Sequence, residues 1–281
     1  MCFRKSLKNQ LKSLLFSSDH NSLEIDKIMR RFVRSVFILF IPAVLFGCSS
    51  SRPFMPPASY IIPTEGVPVS IRHNLYHEVA PMETLWRISK MYGVNINAIV
   101  AANHLKNPTS ISAGQKLLIP SVSRIRPIIP VYNTRPWSYI VIHHSATHAG
   151  NALTIDGLHQ RRGFENGLGY HFLIDNGTLG KKEGQIEVGP RWVKQADGAH
   201  CNAAGMNENG IGICMIGNFS ENQVSGKQLN SLVFLVNALR RHYRIPTDRV
   251  IRHGDVPGKN TECPGRYFPW EELKHRLRMV R

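Results

Sequence analysis

Three separated pieces of the chain carry side chains that commonly bind zinc. The first is a β-branched run ending in two histidines (residues 140–147), the second is Gly-Tyr-His-Phe (residues 169–172), and the third joins His-Gly-Asp (residues 253–255) to Thr-Glu-Cys-Pro-Gly (residues 261–265). Two histidines and one cysteine leave a fourth position for water, which is the ligand count of a catalytic zinc site rather than a closed structural one. This interpretation requires the three pieces to meet in the fold.

The surrounding elements must bring these pieces together. Residues 139–143 are apolar and β-branched, which predicts a buried strand. His143 and His144 point to opposite faces of that strand because side chains alternate, so only one of them can face a site. Further strands are predicted at residues 169–174, 210–216 and 250–251, and helices at residues 154–162, 225–239 and 270–278. This alternation predicts an α/β domain of about 145 residues, enough for one core.

The segment from Trp137 to Arg281 resembles the zinc-dependent N-acetylmuramoyl-L-alanine amidases, which share a superfamily with phage amidase-type lysozymes and peptidoglycan recognition proteins. The resemblance implies a central mixed sheet flanked by helices. Besides the three pieces above, it rests on residues 186–192, 198–200 and 210–214.

The resemblance also assigns roles to individual residues. It implies that His143, His253 and Cys263 bind Zn²⁺, which leaves His144 as a packed residue. It implies active-site positions for Tyr170 and Thr261, whose hydroxyls can donate a hydrogen bond to the oxyanion or relay a proton.

Four further residues are predicted near the site, His171, His200 and Cys214 from the resemblance and Lys259 because it lies two residues before Thr261 and could lend positive charge. His171, His200 and Lys259 are predicted to form part of its wall. Cys214 stands where some relatives have a glutamate that acts as general base, and a buried thiol is a poor base. No general base is therefore assigned, and the tyrosine or the metal hydroxide must serve.

The reaction implied is hydrolysis of the amide bond between N-acetylmuramic acid and L-alanine in peptidoglycan, by a zinc-bound water. Three alternatives remain open. One is a non-catalytic peptidoglycan-binding protein, and another is an amidase that recycles soluble muropeptides. A third, structural alternative is a tether between wall and membrane.

A small module is predicted at residues 76–120. A strand candidate, two short helices around Gly93 and a second strand give the order β-α-α-β. Two helices around a turn also occur in DNA-binding proteins, but residues 83–89, 92–94 and 113–117 resemble a LysM module. The resemblance implies binding to glycan strands of peptidoglycan.

The amino-terminal region resembles a bacterial lipoprotein signal. A basic stretch (residues 29–34) precedes an apolar run of eleven residues (36–46), too short for a membrane-spanning helix. Leu-Phe-Gly-Cys at residues 45–48 resembles a lipobox, which implies lipidation of Cys48 and anchoring to a membrane of the cell envelope, the outer membrane in a Gram-negative organism. An ordinary cleaved signal or an uncleaved anchor is the alternative. Residues 1–28 do not fit a signal peptide, which favours translation from Met29.

Composition sets broader limits. The net charge of +16 favours polyanionic partners such as cell-wall polymers or anionic lipid, or simply keeps the protein soluble. No nucleic-acid motif accompanies it, so no nucleic-acid partner is predicted. Five cysteines form no disulfide framework, and buried thiols are favoured over a Cys201–Cys214 bridge. The predicted plan is a signal segment (1–47), a Pro/Ser-rich tether (48–75), the LysM module (76–120), a linker (121–134) and the amidase domain (135–281).

Overall fold

The computed structural model of the protein describes residues 59–61 and 72–279. The predicted signal segment and the predicted lipidation site at Cys48 lie outside the described residues. None of the helices in the described part of the chain combines the length and the apolar composition that a membrane crossing requires.

Nine strands and seven α-helices are formed by the described residues, together with short 3-10 turns. The strands are β1 (Ser59–Ile61), β2 (His73–Glu78), β3 (Lys116–Val122), β4 (Ile129–Val131), β5 (Tyr139–His144), β6 (Phe172–Asn176), β7 (Glu183–Val188), β8 (Gly210–Met215) and β9 (Val250–Arg252). The helices are α1 (Leu85–Tyr92), α2 (Ile96–Ala102), α3 (Ala152–Arg161), α4 (Pro190–Lys194), α5 (Met206–Asn209), α6 (Gly226–Tyr243) and α7 (Trp270–Met279).

The amino-terminal module has the predicted β-α-α-β order. Strands β2 and β3 pair antiparallel, and α1 and α2 pack against them through a buried apolar core. The Thr84 side chain accepts a hydrogen bond from the Arg87 backbone N–H and begins α1, while Gly93 ends it in the left-handed conformation, with φ 64°.

Strand β3 is longer than the sequence predicts, since it continues through Pro120 to Val122. The register explains how the strand tolerates the proline. His73 pairs with Val122 and Leu75 with Ile119, so Pro120 lies in an irregularity where no ladder hydrogen bond is required of it.

The larger domain is built on a five-stranded mixed sheet in the order β7-β6-β8-β5-β9. Strands β6, β8, β5 and β9 run parallel to one another, and β7 pairs antiparallel with β6. Helix α6 packs its apolar side, including Leu232, Leu235 and Leu239, into the main core, and α7 adds Leu273 and Leu277. The predicted central mixed sheet with flanking helices is confirmed.

The module and the larger domain are in direct contact. The Arg87 Nη2 donates to the Ile186 carbonyl at 3.0 Å. The Lys181 Nζ donates to the Glu78 carbonyl at 2.9 Å, and the Asn151 amide donates to the Glu78 carboxylate at 3.1 Å. Ala80 is buried in one apolar cluster with residues of α3. We call these contacts the seam.

The segment between the two is also folded. Strand β4 pairs antiparallel with β1, and Ile128 and Ile129 are fully buried. Ile128 belongs to the core of the module and Ile129 to the core of the larger domain. Residues 128–131 therefore join the two cores directly, although the proposed limits of the linker stay a prediction.

We expect Arg87→Met to lower the free energy of unfolding by about 3 kcal/mol, because it removes the guanidinium from a buried carboxylate that then keeps only His77 and the Ala80 N–H as partners. The Arg87 Nη1 lies 2.6 Å from a Glu83 carboxylate oxygen, and both side chains are almost fully buried. The substitution also leaves the Ile186 carbonyl without its donor across the seam. Chemical denaturation measures the loss, and Lys106→Met, at an exposed position of the same module, is the matched control. Equal stability of the two variants would contradict this account.

Candidate metal centre

Two histidines lie at the carboxyl ends of neighbouring parallel strands. Ile142 of β5 is in register with Arg252 of β9, so His143 and His253 each come directly after this last pair. Because the strands are parallel, both residues lie at the same edge of the sheet. Their ring centroids are 4.5 Å apart.

Cys263 reaches the same edge through the loop that follows β9. The Gly254 N–H donates to the Cys263 carbonyl at 2.8 Å, and the Thr261 hydroxyl accepts from the Cys263 N–H at 3.2 Å. A Cβ on Gly254 would lie 2.4 Å from the Thr261 carbonyl oxygen, so this close approach requires glycine. One ligand atom from each of His143, His253 and Cys263 lies within 4.8 Å of the others.

Burial sets the protonation of these three side chains. It lowers the pKa of His143 well below its usual value, helped by His200 and His253, and it lowers the pKa of His253 to about 4. Both imidazoles are therefore neutral at pH 7. Burial raises the pKa of the Cys263 thiol to about 12, while the His144 N–H, 3.5 Å from the sulfur, acts in the opposite direction. Binding of a cation must therefore displace a proton from sulfur.

Tyr170 and Thr261 border this group. The Tyr170 ring centroid is 5.2 Å from that of His143. Burial raises the pKa of Tyr170 well above its usual value, and the thiols of Cys214 and Cys263 add to the shift. The phenol therefore keeps its proton and can donate a hydrogen bond. The Thr261 hydroxyl is exposed and, while accepting from Cys263, can donate its own hydrogen elsewhere.

Two predicted neighbours of the site have other partners. The His144 Nδ1 accepts from the Phe219 N–H at 3.1 Å, which directs the ring away from His143. The His171 Nδ1 accepts from the Gly212 N–H at 3.0 Å, and its Nε2 lies 3.2 Å from the Ala196 carbonyl. Both ring nitrogens of the fully buried His171 are thus used within the scaffold rather than at an open wall.

Lys259 and Cys214 differ in how they act on the site. Lys259 is half-buried, and its positive charge contributes to the lowered pKa of His143 and His253. Cys214 is fully buried, and burial raises the pKa of its thiol well above its usual value. Cys214 therefore cannot act as a general base near neutral pH. Cys201 and Cys214 are both free, buried thiols, as favoured from the sequence.

Known proteins resemble two parts of the chain. The family profile described as N-acetylmuramoyl-L-alanine amidase matches residues 133–266, and the profile of the LysM domain matches residues 77–120. Peptidoglycan-recognition protein 2 of Holotrichia diomphalia is 32% identical over 141 residues, which are 45% of this chain and 70% of that protein. The chain belongs to the family of N-acetylmuramoyl-L-alanine amidases and peptidoglycan-recognition proteins.

Other relatives cover the same amidase domain. Peptidoglycan-recognition protein SC2 of Drosophila melanogaster is 28% identical over 145 residues, 49% of this chain and 72% of that protein. Among solved structures, the N-acetylmuramoyl-L-alanine amidase LysC from Clostridium intestinale URNW has 37% identity and a TM-score of 0.44, covering 53% of this chain and 91% of its own.

The donors of the amidase domain fit a zinc ion. Two neutral imidazoles and one thiol are of the types that zinc prefers, and they leave a fourth position open. Within the described part of the chain, the His253 Nε2 is buried yet has no hydrogen-bond partner. A buried nitrogen of this kind is costly unless something accepts its lone pair. A metal ligated at this nitrogen would remove that cost.

His200 is predicted to form part of the site wall, but in the structure it contacts the candidate ligand His143 directly. Its Nδ1 lies 3.1 Å from the His143 Nε2, and its Nε2 lies 3.1 Å from the Gly210 carbonyl. The sequence signal was Gly-Ala-His at residues 198–200, but nothing in that signal indicates which residue the imidazole contacts.

Proposed function

We propose that the protein is a zinc-dependent N-acetylmuramoyl-L-alanine amidase that cleaves the bond between N-acetylmuramic acid and L-alanine in peptidoglycan. The observation that carries this proposal is the convergence of His143, His253 and Cys263 at one sheet edge of an amidase domain. A LysM module on the same chain supports the glycan strands of peptidoglycan as the polymer that is bound. The amidase domain supports the attachment of the stem peptide as the bond that is cut.

The chain's own residues would act around the reacting carbonyl. When bound, zinc supplies Lewis-acid polarisation of the carbonyl and lowers the pKa of water to ~7. Tyr170 keeps its proton and donates a hydrogen bond to the oxygen that becomes negative. Thr261 can donate from the loop that also carries Cys263. Lys259 adds positive charge that acts on both His143 and His253.

The main alternative is recognition without cleavage. This alternative is supported by the relatives that are named as peptidoglycan-recognition proteins. The complete set of two histidines, one thiol and Tyr170 favours an enzyme, because binding alone requires no open metal position. The second alternative, recycling of soluble muropeptides, leaves the LysM module without a purpose.

The proposal is tested with the full chain loaded with Zn²⁺ and incubated with insoluble peptidoglycan. We expect released stem peptides whose mass and new amino-terminal L-alanine identify cleavage at the lactyl amide. Wall binding is measured in parallel by sedimentation. Binding without released peptides would show recognition only, and cleavage of soluble muropeptides without action on the wall would support recycling.

We further propose that Cys48 carries lipid and anchors the protein to a membrane of the cell envelope. This proposal is supported by the basic stretch, the apolar run of residues 36–46 and the lipobox-like residues 45–48. The predicted tether of residues 48–75 is shortened by the structure, because residues 59–61 form β1 and residues 73–75 belong to β2. Residues 48–58 would then form the tether ahead of β1, since proline-rich segments are extended spacers.

Cys48→Ala should release the protein from the membrane fraction or block its processing, because the lipidated thiol is lost. Fractionation and the mass of the mature protein measure this, and Ser51→Ala, three residues after the lipobox-like sequence, is the matched control. A Cys48→Ala protein that keeps its membrane association and its mature mass would contradict lipidation.

A further inference from the structure

We propose that His200 is a positioning residue that fixes the tautomer of His143, so that the Nδ1 of His143 presents its lone pair to the metal. The inference deepens the proposed function and rests on its metal site. It rests on a chain of three hydrogen-bonding groups whose direction is set at one end by a backbone carbonyl.

The first step is the tautomer of His200. Its Nε2 lies 3.1 Å from the Gly210 carbonyl oxygen. A carbonyl can only accept, so the hydrogen must be on Nε2. The side chain is buried, and burial favours the neutral form of an imidazole, which carries only one ring hydrogen. The Nδ1 of His200 therefore carries a lone pair and can only accept.

The second step transfers this direction to His143. The His143 Nε2 lies 3.1 Å from the His200 Nδ1, and the ring is fully buried. Because the His200 nitrogen accepts, the His143 Nε2 must carry the hydrogen. The Nδ1 of His143 is then left with its lone pair. This nitrogen lies 3.8 Å from the Cys263 sulfur, on the side where the three candidate ligands meet.

The scaffold holds His200 tightly in this position. A Cβ on Gly198 or on Gly212 would lie 2.3 Å from the His200 ring, so these glycines leave the space that the ring occupies. The His200 N–H donates to the Asn207 side chain at 2.9 Å. Gly210 begins β8 and is in register with Tyr139 of β5, the strand that carries His143. The Gly210 carbonyl, which sets the direction of the hydrogen bonds, and the proposed ligand His143 therefore belong to neighbouring strands.

Hydrogen-bond partners of this kind orient a ligating imidazole, and their loss typically weakens metal binding by about 10–100-fold. Two variants distinguish the effect of the hydrogen-bond acceptor at the His200 Nδ1 from the effect of the packing of the His200 side chain. In His200→Asn the side-chain oxygen can take the place of the Nδ1 acceptor. In His200→Gln the amide nitrogen can take the place of the Nε2 donor to Gly210, but no acceptor faces His143.

Two measurements on the full chain test the inference without using turnover. Nitrogen-15 NMR of the metal-free protein reports the His143 tautomer, and a competing chelator reports the Zn²⁺ affinity. We expect the Nε2–H tautomer of His143 in the wild type and in His200→Asn, with zinc affinities within a few-fold of each other. His200→Gln should lose the tautomer preference and bind zinc about 10–100-fold more weakly. Circular dichroism checks that each variant is folded.

Two results would overturn the inference. One is an Nδ1–H tautomer of His143 in the metal-free wild type, which needs no variant. The other is an equal loss of zinc affinity in folded His200→Asn and His200→Gln, since packing rather than the acceptor would then matter. Failure of the proposed function would appear differently, as tight zinc binding and the expected tautomer in a protein that releases no peptide.

Discussion

Replacing Cys263 with serine should abolish both zinc binding and hydrolysis. The substitution exchanges a ligand that ionises on binding for a neutral hydroxyl, and it leaves only His143 and His253 to hold the ion. We expect the zinc content to fall from one ion per chain to near zero and turnover to become undetectable. Elemental analysis and the release of stem peptides measure the two effects.

A matched control is Cys201→Ser, which alters another buried thiol outside the proposed ligand set. It should retain zinc and activity. The Cys263→Ser protein should still sediment with peptidoglycan, because the LysM module supplies none of the three ligand atoms. A Cys263→Ser protein with one zinc and wild-type turnover would rule out the proposed metal centre.

Tyr170→Phe should keep its zinc while its turnover falls by ~10²-fold or more, which is typical of losing one donor to an oxyanion. The substitution removes only a hydroxyl, and the ring contact with His143 is retained. Comparing kcat with zinc content distinguishes loss of the donor from loss of the metal. Tyr267→Phe, at a half-exposed tyrosine, is the control and should be unaffected. Wild-type turnover in Tyr170→Phe would remove this residue from the mechanism.

The sequence predicts the ligand types and the strand that carries the first of them. The β-branched run before His143 gives a buried strand, and alternation leaves either His143 or His144 to face the site. The resemblance selected His143. The structure supplies the physical reason, since the His144 Nδ1 already accepts from Phe219 on the opposite side.

Other parts of the site depend on tertiary contacts that periodicity does not encode. The approach of Cys263 depends on how the 253–263 loop folds back, through Gly254 and the Thr261 carbonyl. The partners of His171 and His200 come from distant segments of the chain, so the sequence could place both only near the site. The same holds for the strand β1, which is defined by pairing with β4 rather than by a pattern of its own.

The seam sets the distance between the glycan that the LysM module binds and the amide bond that the amidase domain cleaves in the proposed enzyme. Arg87, Lys181 and the buried residues 128–129 join the module to the amidase domain through direct contacts. If the LysM module were joined to the amidase domain by a flexible linker, the active site could reach every stem peptide within a sphere around the bound module. A docked anchor instead selects the peptides at one fixed displacement along the held strand. The spacing of cleaved stem peptides along a glycan strand would then reflect the distance between the LysM module and the active site.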